Sequence, residues 1–177
     1  MTTIFFSAIT IIAIAIHLFV VRKKLDAPRA LGIVIVWALA ILVGVQNIVS
    51  TGFHVFDAAG TARMIGWAPG SPFQFENAMG DLAFGVLGLL SIRFRGLFWL
   101  ATAVGFAIQS IGDGYGHIYQ LLVNHDTAAS NTGGIMIGDI VIPIVILLLL
   151  AAYYSRVRVR SARGVPSSAA PEPRPAR

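Results

Sequence analysis

The chain has 177 residues, of which 56% are hydrophobic and 12% charged, and its mean hydropathy is +0.79. So few polar side chains cannot cover a soluble globule of this length, which predicts a protein embedded in lipid. The absence of cysteine excludes disulfides, thiolate nucleophiles and iron–sulfur clusters. The net charge of +5 does not indicate a nucleic-acid partner, because membrane topology explains where the basic residues fall.

Five apolar runs follow one another along the chain, each close to the ~20 residues that cross a bilayer as a helix. The sequence therefore predicts an all-α fold, an integral membrane bundle of five transmembrane helices that occupies residues 1–160. The runs are 3–21, 31–54, 73–92, 97–122 and 135–154.

The basic residues follow the first run, separate the third from the fourth and follow the fifth, so that of 13 lysines and arginines only Arg63 falls on the other side. Because such residues accumulate in cytoplasmic loops, we expect the N-terminus outside and the C-terminus in the cytoplasm. The expected location is the bacterial cytoplasmic membrane, with several crossings. The expected partner is the lipid bilayer, and assembly into a homo-oligomer or a membrane complex stays open.

Two stretches lie outside the apolar runs. Residues 161–177 are rich in serine, proline and arginine and bury too little apolar area to fold, which predicts a disordered cytoplasmic tail. The outer connection, about 55–72, is uneven in polarity, and it is expected to lie at the interface as a lid anchored by Trp67. At its end Ser71, Pro72 and Gln74 form a capping pattern, so the third helix should begin near Pro72.

Four carboxylates, Glu76, Asp81, Asp113 and Asp139, interrupt the apolar runs. An ionisable side chain costs at least roughly 2.5–3.5 kcal/mol at the centre of a bilayer helix, so it persists only beside partners, ions or water. These residues are therefore where a function is expected.

Distances along the helices place the polar residues of four runs at one depth. Gln46 and Asn47 lie 17 and 18 residues from Arg29, and the carboxylates Glu76, Asp113 and Asp139 lie 17, 18 and 17 residues from Arg93, Arg95 and Arg156. At ~1.5 Å per residue, each arrives about 26 Å from the cytoplasmic end of its helix. The agreement predicts one shared site toward the outer leaflet.

Helical phase adds detail to this site. Gln109, Asp113 and His117 follow at four-residue spacing and share one face, whereas Glu76 and Asp81 are about 140° apart and cannot both point at one ion. Pro143 has no amide hydrogen, so the carbonyl oxygen of the residue four positions earlier, Asp139, is left as an extra acceptor.

Carboxylates with an imidazole suit a divalent cation such as Mn, Fe, Zn or Ca. The metal-binding hypothesis makes Asp113, His117 and Asp139 direct ligands and Glu76 a ligand or a general base. Further polar residues would orient these ligands or share protons with them. They are Gln46, Asn47, His54, Asn77, Asp81 and Gln109. No nucleotide cofactor is expected, because phosphate-loop and dinucleotide motifs are missing from the sequence.

Two alternatives stay open beside binding of a divalent cation or a small polar ligand. Chains of Asp, Glu and His within spans also move protons or ions. A third interpretation is a non-catalytic accessory component whose polar groups only fix helix register. An enzyme would have to work through the same carboxylates.

Short motifs between residues 73 and 150 carry a resemblance. The segments Gly80-Asp81-Leu82-Ala83-Phe84-Gly85, Tyr115-Gly116-His117-Ile118 and Asn131-Thr132-Gly133, with Asp139-Ile140 and Pro143, resemble a group of small multi-span bacterial membrane proteins with a domain of unknown function. This group is loosely similar to DoxX-like proteins. The resemblance implies an integral membrane helical bundle without an assigned reaction.

Overall fold

A computed structural model describes residues 2–162, and these form helices joined by short connections. A 3-10 turn, Arg22–Lys24, follows the first helix, and one helical turn, Ala129–Thr132, precedes the last. The predicted all-α fold is confirmed for these residues. Of the predicted tail, 161–177, the first two residues end the last helix, and the rest lies outside the described residues. The six helices are α1 Thr2–Val21, α2 Ala27–Phe56, α3 Ala58–Ile65, α4 Phe73–Leu90, α5 Leu97–Asn124 and α6 Gly134–Ala162.

Three helical stretches of the described chain are long and apolar enough to cross a membrane, namely Thr2–Lys24, Ala27–Phe56 and Ala129–Val159. Helices α4 and α5 are not among them. Their polar side chains, such as Asp81 in α4 and Asp113 in α5, lower the mean hydropathy of the helices that carry them. The membrane character of the chain thus stands on three candidate spans, and length and composition do not support the predicted count of five.

Helix α2 contains a π-helical segment, Ala38–Val45, in which six of eight residues are buried. Such segments widen the helix and misalign its backbone hydrogen bonds. The amide of Asn47 donates to the carbonyl oxygen of Val43 at 2.8 Å and so satisfies one of these groups.

Glycines let α2 and α4 approach backbone to backbone beside this segment. A Cβ added to Gly88 would lie 2.4 Å from the Gly44 nitrogen and 2.6 Å from the Leu39 carbonyl oxygen. This contact holds the two helices side by side along their length.

The apolar core lies in one half of the bundle, the half that contains Arg29 of α2, Arg95 just before α5, and Arg156 of α6. We call this the basic half. Its centre is Trp99, only 1% exposed, whose indole N–H donates to the Ser91 carbonyl oxygen at 2.8 Å. The enclosed core side chains around it include Ile35, Leu39, Val43, Phe106, Ile146 and Leu150.

Much of the apolar surface of the helices points outward. On α1, Ile4, Phe5 and Ile11 are 60–68% exposed, and the buried residues of this helix are Thr3, Phe6 and Thr10. Lipid is the solvent that such a surface fits, because an isolated soluble protein rarely exposes apolar patches of this extent.

The connection after α2 folds into α3, a short amphipathic helix capped at its start by the Asp57 side chain, which accepts from the Gly60 N–H at 3.1 Å. Helix α4 then begins at Phe73, close to the predicted start. The predicted capping role of Gln74 is wrong, because its side-chain amide donates to the Ala58 carbonyl oxygen at 2.9 Å. Gln74 thereby ties α4 to α3.

Candidate functional site

The half of the bundle opposite the basic half contains a buried polar cluster built around one face of α5. Gln109, Asp113 and His117 occupy this face, as their four-residue spacing predicted. Asp81 of α4 and Asp139 of α6 approach it from either side. We call these five residues the carboxylate cluster.

Asp81 is the most enclosed acid of the cluster, with 6% exposure. One carboxylate oxygen accepts from the Ser50 hydroxyl of α2 at 2.8 Å, and the other accepts from the Gln109 amide at 2.9 Å. Gly80 makes room for that amide, since a Cβ at this position would lie 2.8 Å from the Gln109 Oε1 atom. Three helices therefore meet at this carboxylate.

His117 has 6% exposure and contacts Asp139 through its Nε2 atom, 3.7 Å from a carboxylate oxygen. Its other ring nitrogen, Nδ1, lies 2.8 Å from Oδ1 of Asn131, a residue with no exposed surface in the turn before α6. The imidazole is thus held between a carboxylate and an amide.

Asn131 determines which ring nitrogen of His117 carries hydrogen. Its NH₂ group faces two carbonyl oxygens, those of Asp126 at 3.0 Å and of His117 at 3.3 Å, so this group must be the donor end of the amide. Oδ1 is then an acceptor, and Nδ1 of His117 donates to it. Nε2 can then offer its lone pair to a cation or, when it carries a hydrogen, donate to Asp139.

Asp139 contributes both its side chain and its backbone. Pro143 removes the helical partner of the Asp139 carbonyl, as the sequence predicted, and the Ser110 hydroxyl of α5 donates to that oxygen at 3.0 Å. Gly114 allows the close approach, because a Cβ there would lie 2.8 Å from Ile140. The carbonyl that lacks a helical partner therefore links α6 to α5 through the Ser110 hydroxyl.

Ser110→Ala should destabilise the fold by about 1 kcal/mol, the net value of one buried hydrogen bond. In a Pro143→Ala background the new amide N–H can donate to the Asp139 carbonyl, so the same substitution should cost far less. Thermal unfolding in detergent of the wild type, the two single variants and the double variant gives the coupling free energy between the two positions. Ser155→Ala, at an exposed hydroxyl of α6, is the control. Equal costs in both backgrounds would contradict the proline argument.

Asp113 is half-buried and lies on the same face of α5 as Gln109 and His117. Asp81 reaches this face through the Gln109 amide, and Asp139 reaches it through the 3.7 Å contact with His117 Nε2. The sequence contains no lysine or arginine from 73 to 92 or from 96 to 155, which includes all of α4 and α5. His117 is the basic side chain of the cluster.

The outer connection packs on the His117 end of the cluster through Trp67. Gly66 ends α3 in the left-handed conformation, with φ of 89°, and the Trp67 ring then lies 5.5 Å from the His117 ring, tilted by 38°. Gly66 is also needed for space, because a Cβ here would lie 2.4 Å from a carboxylate oxygen of Asp126. Trp67 remains 38% exposed, so it lies between His117 and the exterior.

Several predicted residues are not brought to the cluster. Glu76 and Asn77 are exposed on α4. Helical phase turns Glu76 away from the buried Asp81, whereas Asn77 shares the face of Asp81, as its four-residue spacing predicts, but lies one turn nearer the start of the helix. His54 instead contacts Gln74, with 3.1 Å between Nδ1 and Nε2. Asn47 bonds within α2, and the Oε1 atom of Gln46 is buried without a hydrogen-bond partner.

The predicted metal ligands do not form a closed set in the described residues. Between residues 2 and 162, no group of three or more His, Cys, Asp or Glu side chains stands in an arrangement that could hold a metal ion. Of the predicted ligands, His117 and Asp139 approach each other most directly, at 3.7 Å. The arrangement is a cluster of acids around one oriented imidazole.

Sequence reasoning missed Asn131 as a functional residue and ranked Asp81 below Glu76. For Asp81 a signal existed, because Gly85 and Gly88 follow it at four and seven residues and mark the face that packs closely. Asn131 lies in a short turn, where no helical periodicity distinguishes it.

A comparison with family models identifies the protein group. The model of DUF6790, a family of unknown function, matches residues 1–159. The chain belongs to this family. The DUF6790 match extends far beyond the predicted resemblance over 73–150 and confirms its coarse form, a family with a domain of unknown function. No curated protein and no solved structure matches the chain significantly. The similarity of this DUF6790 protein to DoxX-like proteins stays a prediction.

Proposed function

We propose that all five long helices cross the membrane, with the basic half of the bundle in the cytoplasmic leaflet of a bacterial cytoplasmic membrane and the N-terminus outside. The support is the packing of the two less apolar helices. Helix α4 packs on α2 through Gly88, and α5 packs on α6 through the Ser110 hydroxyl and Gly114. A helix packed along a spanning helix shares its depth, so α4 and α5 lie at the level of the bilayer.

The function that we propose for this membrane protein is binding of a cation at the carboxylate cluster from the external side. The observation that carries the proposal is that Asp81, bonded to the Gln109 amide, and Asp139, 3.7 Å from His117 Nε2, meet the face of α5 that carries Asp113, with no lysine or arginine in α4 or α5. Carboxylates held together at low dielectric repel strongly unless positive charge joins them. A bound cation or protons would remove that repulsion.

A divalent metal ion is the first candidate. Asp113, Asp139 and Nε2 of His117, which do not stand in a metal-binding arrangement in the structure, would draw together around the ion and supply two carboxylates and one imidazole, a donor set that suits Mn, Fe or Zn. Asn131 would hold the imidazole in the required tautomer, as partners of metal-binding histidines commonly do. In this proposal Asp81 and Gln109 form a hydrogen-bonded support beside the ion, and Glu76 takes no part.

Exchange of protons with the exterior is the second candidate, favoured by the 3.7 Å contact between His117 Nε2 and Asp139. An imidazole beside a carboxylate can accept a proton and form an ion pair with it. The cation is then H⁺, shared among the acids and the histidine. Both candidates rest on the same chemistry, neutralisation of clustered negative charge.

Asp113→Asn should weaken metal binding by at least roughly 100-fold, since loss of a ligand costs no less than loss of the outer partners that orient ligands. The measurement is calorimetric titration of the detergent-purified protein with Mn²⁺ and Zn²⁺, with elemental analysis of each preparation. Glu76→Gln is the matched control, because it removes a carboxylate of α4 that is exposed. It should bind as the wild type does.

Two outcomes would decide against metal. Equal loss in both variants would mean that binding follows general negative charge and not the cluster. Absence of binding in a folded wild type would leave the proton candidate, which infrared difference spectra of the carboxyl bands across the neutral pH range would test. Bands that shift in wild type and not in Asp113→Asn support it. No titrating carboxyl band would contradict any cation role for the cluster.

A further inference from the structure

A second charged site lies at the other end of the bundle, between α1 and α2. A cavity of about 330 Å³ is lined there by Val20, Val21, Lys23, Lys24 and Arg29. One candidate membrane span ends at Lys24, and the next begins at Ala27. The cavity therefore lies at the boundary between the hydrocarbon and the head groups.

Its basic wall is ordered by contacts of the loop. The guanidinium of Arg29 donates to the Lys24 carbonyl oxygen at 3.2 Å, which fixes its position on the turn. Asp26 directs a carboxylate oxygen to the Arg29 backbone N–H at 2.8 Å. The guanidinium and the two exposed ammonium groups thus outnumber the one carboxylate of the loop, and the cavity is suited to an anion.

The opposite wall is apolar. Val20 is 73% exposed, and Phe19 beside it is 65% exposed and lies under the guanidinium of Arg22, 4.0 Å from its ring centroid. A free inorganic anion would gain nothing from this wall. A phospholipid would place its phosphate at the basic residues and an acyl chain along the valines, which matches both surfaces.

We propose that this cavity binds the head group of one anionic phospholipid, with the phosphate at Lys23, Lys24 and Arg29 and an acyl chain against Val20 and Val21. Basic pockets between membrane helices on the cytoplasmic side suit anionic head groups in this way. The proposal is independent of the carboxylate cluster, which lies in the other half of the bundle.

The test is titration of the detergent-purified protein with phosphatidylglycerol, with phosphatidylcholine of the same acyl chains, and with inorganic phosphate alone. Native mass spectrometry would count the bound lipid. We expect one phosphatidylglycerol to bind per chain, with a clear preference over phosphatidylcholine. Inorganic phosphate should not displace the bound lipid. Lys23→Gln with Lys24→Gln should weaken binding roughly thirtyfold, given the usual contribution of each basic residue near an anionic lipid.

Arg156→Gln with Arg158→Gln is the matched control, because it removes two exposed charges of α6 that do not line the cavity. The control should keep wild-type binding. Val20→Glu provides a second variant that retains both lysines and should also weaken binding. The proposal would be overturned if the control and the lysine variant lost lipid binding equally, or if both cavity variants bound lipid as the wild type does. Full displacement of the lipid by inorganic phosphate would overturn it as well.

Discussion

Gly88→Ala is expected to destabilise the bundle by about 3 kcal/mol, at the upper end of what overpacking costs. The added methyl group would meet the Gly44 nitrogen and the Leu39 carbonyl oxygen, which are backbone atoms and cannot rotate aside. Relief requires α2 and α4 to separate, and their contact also positions Ser50 beside Asp81. The measurement is thermal or denaturant unfolding in detergent.

Gly112→Ala is the matched control, because a Cβ at that helical position meets no atom within 4 Å. Removal of a helical glycine there should leave stability unchanged or raise it by up to about 1 kcal/mol. If Gly88→Ala and Gly112→Ala unfold at the same temperature or denaturant concentration, then the backbone contact between α2 and α4 is not what holds these helices together.

Asn131→Leu is expected to cost roughly 3 kcal/mol or more and to abolish cation binding. Leucine has a similar shape, but it leaves Nδ1 of His117 and the carbonyl oxygens of Asp126 and His117 without partners, and each buried unsatisfied group costs about 1–3 kcal/mol. The imidazole also loses the contact that fixes its tautomer. Unfolding in detergent and titration with Mn²⁺ and Zn²⁺ measure the two effects.

Asn131→Asp separates orientation from stability. The carboxylate still accepts from Nδ1 of His117, but it presents an oxygen to two carbonyl oxygens where the amide donated. We expect lost stability with the histidine tautomer retained, visible as an unchanged imidazole ¹⁵N pattern in NMR spectra. Asn124→Asp, at the exposed end of α5, should change neither property. If Asn131→Leu were as stable as the wild type, the hydrogen bonds assigned to the Asn131 amide would be contradicted.

The features that sequence could predict are those that follow from one helix alone. The shared face of Gln109, Asp113 and His117 follows from the four-residue period, and the free carbonyl of Asp139 follows from the covalent structure of Pro143. The start of α4 is confirmed as well, whereas the position of Trp67 at the membrane interface stays a prediction.

The features that sequence could not predict depend on contacts between elements. Periodicity places Glu76 and Asp81 on different faces without stating which face turns inward, and only packing of α4 on α2 decides it. Equal depth along four helices does not make side chains converge, which is why Gln46, Asn47 and His54 have separate surroundings. The π-helical segment of α2 cannot be recognised from its composition, because Ala38–Val45 is as apolar as an ordinary membrane-spanning helix.

The enclosed core of the basic half limits what the carboxylate cluster can exchange with. Leu39, Trp99 and Ile146 are at most 1% exposed, and such tightly packed apolar side chains offer no solvation to a charged species. On the proposed topology, an ion that enters past Trp67 can leave only by the way it came. If the proposed function holds, its occupancy would then follow the external medium and be indifferent to the cytosol, which is the behaviour of a receptor for one compartment rather than of a conduit between two.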